Sequence, residues 1–545
     1  MKEIKVEPYN YPIQFKELNH SDFEGYNFEN ENKTIIEPDE NGYISKELNE
    51  IIDLKKKDTT VINASVGQGK TTAIIDFVKW YYQENEKGNS CKVIIVTPFK
   101  SLNKEYVSKI TKEINLENSC FDYQIFDEAG ITKKNYKEFY SKPIQLISVK
   151  SIMGDGGSVA HKQSDIKREY YEFLIENCKR NNEKVILIFD EIHESLDSFN
   201  PKLLPNLFKW QGVVHKIIVA SATFNEASKV AIKYLANLTE KNICIIESKR
   251  VQQLDRLSEL HLCFYNQFVY KENDQHLNDL IEEQAQTAST INILCFSSNL
   301  AKSIYTSNIG TVLKNKFGDV KLCTGITKNY FDKDSCNIGT NFKTGISIEK
   351  KDSAYFVILP LRFAYSDTNK EPFGIFTDRI NSLIQALARP RNNSKIFVIV
   401  PSPEKLIITP GADNLYIKRL SLDYLKFDEE QNQTKYLLLK NQNSILKQFY
   451  DQNRSHIEES IETVANLDAS ITTQFPPFES FKLLEGERFL YSQNDSYGKN
   501  LSNYMYWAAW NNQFVNCKLT SIIKVSTYKF SEGNVQNMLD QYFAE

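Results

Sequence analysis

Residues 59–83 read TTVINASVGQGKTTAIIDFVKWYYQ, and the fold follows from how this stretch is parsed. TTVINAS (59–65) is a strand candidate, with Val61 and Ile62 in a β-branched run. From Thr71 the period changes, and Ile74, Ile75, Val78 and Tyr82 mark one face of a helix. Between the two lies ASVGQGKTT (64–72), with the spacing of a phosphate-binding loop and Ala64 where the general pattern has glycine. Strand, glycine loop and helix turn backbone N–H groups and the positive helix end toward an anion. Ala64, Ser65, Val66, Gly67, Gln68, Gly69, Lys70, Thr71 and Thr72 are therefore candidate nucleotide-binding residues. Gly67 and Gly69 let the backbone curl, Lys70 would reach the β- and γ-phosphates, and the Thr71 hydroxyl would ligate Mg²⁺. A glycine turn that merely precedes Lys-Thr is the plain alternative, and the flanking strand and helix weigh against it.

A second stretch, VILIFDEIHES (185–195), begins as a continuous apolar run, the pattern of a parallel strand covered on both faces. It delivers Asp190 and Glu191 to its C-terminal edge, where open α/β sheets bind ligands. Asp190 suits a Mg²⁺ shell, and Glu191 suits a base that orients the attacking water. An acidic pair after a strand is common on surfaces, so its weight comes from the loop upstream.

The chain has 545 residues, 41% hydrophobic and 25% charged, which fits two or three globular domains. No apolar run approaches the ~20 residues of a membrane span. The opening MKEIKVEPYNYPIQF lacks the apolar stretch of a signal peptide. The nine cysteines contain no C-x-x-C, so no zinc or iron–sulfur site is indicated, and free thiols in a cytoplasmic protein are expected. A net charge of −4 excludes coating nucleic acid through bulk charge but leaves room for a local groove.

With both stretches in place, A-x-x-G-x-G-K-T followed by D-E-x-H resembles motifs I and II of the DExH-type superfamily 2 helicases, in which alanine at the first loop position is common. Further motifs follow in order. VIIVTPFKSLNKEY (93–106) resembles motif Ia, with Thr97 and Pro98. LISVKSIMG (146–154) resembles the strand and helix that come next. KIIVASATF (216–224) contains Ser221-Ala222-Thr223, resembling motif III. INILCFSSNLAKSIY (291–305) resembles motif IV, with Ser297-Ser298-Asn299 as a helix cap able to offer N–H groups to a phosphate. GTNFKTGISI (339–348) resembles motif V, with Thr340 and Gly345. INSLIQALARPRN (380–392) resembles motif VI, with Gln385, Arg389 and Arg391. The likeness spans roughly residues 55 to 402.

The resemblance implies two tandem RecA-like α/β domains with parallel sheets, an ATP site using Mg²⁺, and a nucleic-acid partner. Lys70, Glu191, Gln385, Arg389 and Arg391 would be catalytic, and Gly345 would join the nucleotide site. Thr71 and Asp190 would hold the metal. His193, Ser221 and Thr223 would couple the nucleotide to the bound strand. Thr97, Pro98, Ser297 and Thr340 would touch that strand, a single one lying across both domains. Motif VI departs from the usual pattern: Ala388 replaces glycine, and the second arginine comes one residue early. This shorter spacing resembles the herpesvirus-type origin-binding helicases, which favours DNA over RNA and a role in replication. Pro390 rules out a regular helix interior there, and an extended turn would point both guanidinium groups toward the nucleotide.

The expected domains are an N-terminal arm (1–50), RecA-like domain 1 (51–250), RecA-like domain 2 (251–403) and an accessory domain (404–545). Residues 434–467 have helical period. NYMYWAAWNNQFVNCKL (503–519) is aromatic; its rings could stack bases, but helical spacing of Trp507, Trp510 and Phe514 favours a core. The accessory region offers a surface for a protein partner. The expected activity is a nucleic-acid-dependent ATPase that moves along or unwinds DNA. The rival is a nucleic-acid-binding or assembly protein that uses ATP as a switch and unwinds nothing. A P-loop kinase is disfavoured, having no need of motifs IV to VI.

Overall fold

A computed structural model describes residues 3–4, 18–28, 33–114, 119–123, 135–153, 165–199, 204–224, 226–251, 257–265, 274–325, 327, 329–360, 374–376, 379–402, 419–421, 436–438, 490–492, 499–510, 512 and 514–525. The chain divides into two compact units. The first is Met1–Asp255 with Thr344–Ile346 and Tyr436–Tyr491; the second is Arg256–Lys343, Ser347–Lys435 and Ser492–Glu545.

The first unit is built on a parallel sheet. Its strands are β1 (Asn27–Phe28), β2 (Thr34–Ile36), β3 (Thr59–Asn63), β4 (Cys91–Thr97), β5 (Cys120–Asp122), β6 (Ile144–Ser148), β7 (Lys184–Asp190), β8 (Val214–Ser221) and β9 (Asn242–Ser248). Their spatial order is β1-β9-β3-β8-β7-β4-β6-β5, and β2 also pairs with β9. The central strands are apolar along their length because both sheet faces are covered. Val61, Val96, Phe189 and Val219 pack into one core, while Ile62, Ile95, Ile188 and Ile218 pack into the other. That alternation is the two-residue period of a pleated strand.

Helix α1 is Ser45–Ile51 and helix α2 is Lys70–Glu86; α2 buries Ala73, Ile74, Phe77, Val78 and Tyr81. The expected helix at 71–83 is thus extended by a residue at its start and three at its end. Tyr81 takes the buried place expected of Tyr82, which is half-buried. Helix α3 spans Lys100–Ile114. Residues 18–51, expected as part of an arm, are built into this unit. Leu18 and Phe23 are fully buried, β1 and β2 pair with β9, and Ile44 and Leu48 sit in the core beneath α2.

The second unit has its own sheet: β10 (Ser258–Tyr265), β11 (Ile291–Cys295), β12 (Val320–Cys323), β13 (Cys336–Gly339), β14 (Ala354–Ile358), β15 (Lys395–Pro401), β16 (Arg419–Ser421) and β17 (Cys517–Val525). The order is β12-β13-β11-β14-β15-β10-β17-β16, parallel except where β16 meets β17. Gly339 is required where β13 approaches β12, because an added Cβ would lie 1.9 Å from the Cys323 carbonyl oxygen. The two sheets form tandem RecA-like α/β domains.

The region expected as an accessory domain contributes β16 and β17 to this second sheet, and β17 runs parallel to β10. In the helix Lys499–Trp510, Met505, Tyr506, Ala508 and Ala509 are buried, as is Phe514 beyond it. Tyr506 meets Phe264 of β10 edge-on at 6.2 Å. The aromatic run therefore serves packing at these positions; the Trp507 side chain and the helical segment expected at 434–467 lie outside the described residues. Among the described residues no helix is long and apolar enough to cross a membrane.

Candidate nucleotide and metal site

The loop after β3 is sharply curled, with Gly67 at φ +78° and Gly69 at φ +86°, a region that suits glycine. A Cβ on Gly69 would also come within 3.3 Å of the Tyr43 ring. The loop bonds to itself and to its neighbours. Lys70 Nζ donates to the carbonyls of Ala64 (3.0 Å) and Ser65 (2.9 Å). The Ser65 amide donates to Gln68 Oε1 (2.6 Å), and Gln68 Nε2 donates to the Lys249 carbonyl (2.8 Å). Arg250, buried beside them, donates to Ser65 Oγ (2.8 Å) and Asn63 Oδ1 (2.9 Å). Ala64 and Val66 are buried, Thr71 is half-buried, and Thr72 is exposed. The loop was expected to be exposed, but Lys70 is only 7% exposed.

Two strands away, β7 ends at Asp190. Its Oδ2 accepts from the Tyr106 hydroxyl of α3 (2.8 Å), and Tyr106 also hydrogen-bonds the Thr71 side chain. Thr71 and Asp190, chosen from sequence as metal ligands, are thus joined through one phenol. Burial, and then the neighbouring Glu191 carboxylate, push Asp190 up to about 7, against the pull of the Tyr106 bond and the Lys70 ammonium. Such a carboxyl holds its proton more tightly when folded than when unfolded, where it titrates near ~3.9. The folded state then binds more protons across that interval, so stability falls as pH rises through it. In EDTA the wild-type unfolding free energy should decline between about pH 5 and about pH 7.5, and Asp190→Asn should flatten the decline. Urea denaturation of both proteins at the two pH values measures it; equal slopes would contradict the assignment.

Glu191 stands at φ +52°, a left-handed conformation uncommon for a residue with a side chain. Strain of this kind is held in place by its surroundings and gathers at functional positions. Glu191 Oε2 is buried and accepts no hydrogen bond among the described residues, with His193 Nδ1 at 3.5 Å. A buried carboxylate oxygen with acceptor capacity is what a base needs to receive a water. His193 Nδ1 meets Ser221 Oγ at 2.7 Å, and the same Oγ accepts from the Thr223 amide at 3.1 Å. The acidic segment and the S-A-T segment, 28 residues apart in sequence, therefore touch through a buried polar contact. Thr97 is fully buried, its hydroxyl engaged with Asn103 Oδ1 and the Phe99 carbonyl, which leaves Pro98 as the more accessible of the pair.

In the second unit, Ser297 caps the helix Ser298–Thr306 by accepting from the Leu300 amide. Ser298 Oγ lies 3.5 Å from Thr340 Oγ1, so the motif IV and motif V residues meet. Gly345, which belongs to the first unit, takes φ +71°. Around motif VI the two arginines diverge. Arg389 ends the helix turn through its amide bond to Ala386, is 4% exposed, and folds back onto the Gln385 carbonyl (2.8 Å) and Oε1 (3.4 Å). Arg391 lies past the bridge between Pro390 and Ile348, is half-buried, and reaches Ser347 Oγ at 3.5 Å. The two side chains thus turn to different partners instead of a common one, Arg389 to Gln385 behind it and Arg391 to Ser347.

Fold and site together define a P-loop nucleotide hydrolase unit followed by a second domain of the same layered type. The family model described as DEAD/DEAH box helicase matches residues 46–230, which lie in the first unit, in line with the superfamily 2 resemblance of the motifs there. No curated protein matches the sequence. Similar solved structures include the DEAD-box helicase Mss116 bound to ssRNA and UDP-BeF, at 14% identity and TM-score 0.44, covering 78% of this chain and 90% of that one. Another is S. cerevisiae Dbp5 bound to RNA and ADP BeF3, at 13% identity and TM-score 0.40, covering 63% and 80%. A third is the DUF1998 helicase MrfA bound to DNA, at 13% identity and TM-score 0.40; the match covers 66% of this chain and 48% of that one, about half its length. Nothing in these matches supports the herpesvirus-type likeness of motif VI.

Sequence reasoning missed Tyr106, Arg250 and the Gln68–Lys249 contact. Tyr106 lies inside the quoted motif Ia stretch, but only its place on α3 shows that it faces Asp190. Arg250 follows β9 with no local signal.

Proposed function

We propose that this protein is a nucleic-acid motor that hydrolyses ATP with Mg²⁺ and moves along or separates strands of DNA. The observation carrying the reading is the convergence within one unit of the phosphate loop, Asp190, Glu191 and the His193–Ser221 contact. The residues fit the implied metal: a hydroxyl and a carboxylate share one hydrogen-bonded chain, and Glu191 Oε2 keeps acceptor capacity beside them.

Bound there, Mg²⁺ would neutralise phosphate charge. Thr71 and Asp190 would hold it. Lys70 leaves the Ala64 and Ser65 carbonyls for the γ-phosphate. Glu191 accepts a proton from the attacking water. Arg391 supplies a planar donor to the phosphate in the transition state, which arginine can do without losing charge. Arg389 and Gln385 position the turn that presents it. His193 passes the state of Glu191 to Ser221 and Thr223, and thence to the strand held by Pro98, Ser297 and Thr340. Loss of the γ-phosphate ends the nucleotide-held state, and the cycle moves the strand. DNA as the substrate rests on the motif VI spacing alone, and RNA is the alternative to be measured.

Steady-state ATPase with and without single-stranded DNA or RNA tests the reading, and stimulation by either is the expected result. Glu191→Gln should keep ATP binding and lower turnover by about 10² or more, with tighter nucleic-acid binding in ATP. Unchanged turnover in that variant would remove Glu191 from the role of base.

A further inference from the structure

We propose that Tyr106 is a positioning residue for the metal ion, holding Thr71 and Asp190 in the orientation that a Mg²⁺–nucleotide complex requires. The inference deepens the ATPase reading and rests on it. It stands on three observations. Tyr106 is fully buried on α3, its ring fixed in the core beneath the loop. Its hydroxyl lies 2.8 Å from Asp190 Oδ2. The same hydroxyl hydrogen-bonds the Thr71 side chain.

Hydrogen-bond inventory then sets the directions. A carboxylate that ligates a cation is ionised and only accepts, so in that state Tyr106 donates to Asp190. A phenol has one proton, so its oxygen receives the proton of the Thr71 hydroxyl. The Thr71 proton is thereby directed toward Tyr106, and the oxygen lone pairs are left for a cation. On Asp190, Oδ2 is occupied and Oδ1 is left to the metal or to a water in its shell. A phenylalanine at 106 would keep the ring and release both groups: Thr71 could rotate its proton toward the cation, and Asp190 would lose a donor that fixes its rotamer. Such outer-shell partners orient ligands without touching the metal.

The test compares wild type with Tyr106→Phe by calorimetric titration of ADP, in EDTA and in millimolar Mg²⁺. Affinity in EDTA should be unchanged, because the loop and Lys70 are untouched. The Mg²⁺-dependent gain in affinity should fall by about tenfold or more, the usual range for an outer-shell partner. Mn²⁺ bound to the ADP complex, read by electron paramagnetic resonance, should weaken in parallel. A purely structural role for Tyr106 would lower affinity equally in EDTA and in Mg²⁺, and that result, like an unchanged Mg²⁺ dependence, overturns the proposal. Should Tyr106→Phe not fold, 3-fluorotyrosine at position 106 keeps ring and hydroxyl. Its fluorine resonance should shift when Mg²⁺ is added to the ADP complex, and an unmoved resonance overturns the proposal. Wild type that binds no nucleotide would sink the ATPase reading and this inference together. Wild type with normal Mg²⁺ dependence matched by the variant sinks this inference alone.

Discussion

Lys70→Ala should lower ATP turnover by about 10³ or more, the largest loss expected of any single change in this protein. The side chain sits at the start of α2, where its ammonium faces the inside of the loop and is 7% exposed. Its bonds to the Ala64 and Ser65 carbonyls keep the charge at the place a phosphate would enter. Alanine removes a donor that grows in worth as negative charge moves onto the transferred group. The change also strips two buried carbonyls of a donor, at a cost of about 1–3 kcal/mol. A modest drop in thermal stability should therefore accompany the loss of activity. ATPase assay and a melting curve on the same preparation separate the two effects. Normal turnover in a folded variant would mean that the loop is not the site.

Arg391→Ala should follow with a loss of about 10³ in turnover, at the lower end of what arginine fingers contribute. ATP affinity should change far less, because the guanidinium acts on charge that develops during the reaction. The extended backbone at Pro390 and the contact with Ser347 leave Arg391 at the edge of its unit. Arg389→Ala should behave differently. That side chain is buried against Gln385, so its loss should lower stability first and turnover as a consequence. Turnover and urea midpoints of the two single variants distinguish these roles. An inactive, fully stable Arg389→Ala beside an active Arg391→Ala would exchange the assignments.

What the sequence disclosed is what short-range physics encodes. The strands at 59–63, 91–97, 184–190 and 214–221 announce themselves because a strand buried on both faces is apolar throughout. The loop announces itself because glycines, lysine and threonine at fixed spacing serve one purpose. Pairing between distant segments leaves no such mark. Asn27–Phe28 and Thr34–Ile36 are too short to show a period, yet both pair with β9 more than 200 residues on. The strand at 517–525 was not foreseen, because its place beside β10 is set by pairing with a segment more than 250 residues away. Tyr106 and Asp190 are 84 residues apart, and Arg250 and Asn63 are 187 apart. The two arginines of motif VI were legible as a pair, but their different partners, Gln385 for Arg389 and Ser347 for Arg391, were not.

The most direct test of the central claim is displacement of a labelled strand from a partial duplex, followed in ATP and in the non-hydrolysable AMP-PNP. The account predicts displacement by the wild type in ATP, none in AMP-PNP, and none by Glu191→Gln in either. ATP hydrolysis stimulated by nucleic acid, with no strand displaced from DNA or RNA duplexes of either overhang, would contradict it and favour a protein that uses ATP only as a switch.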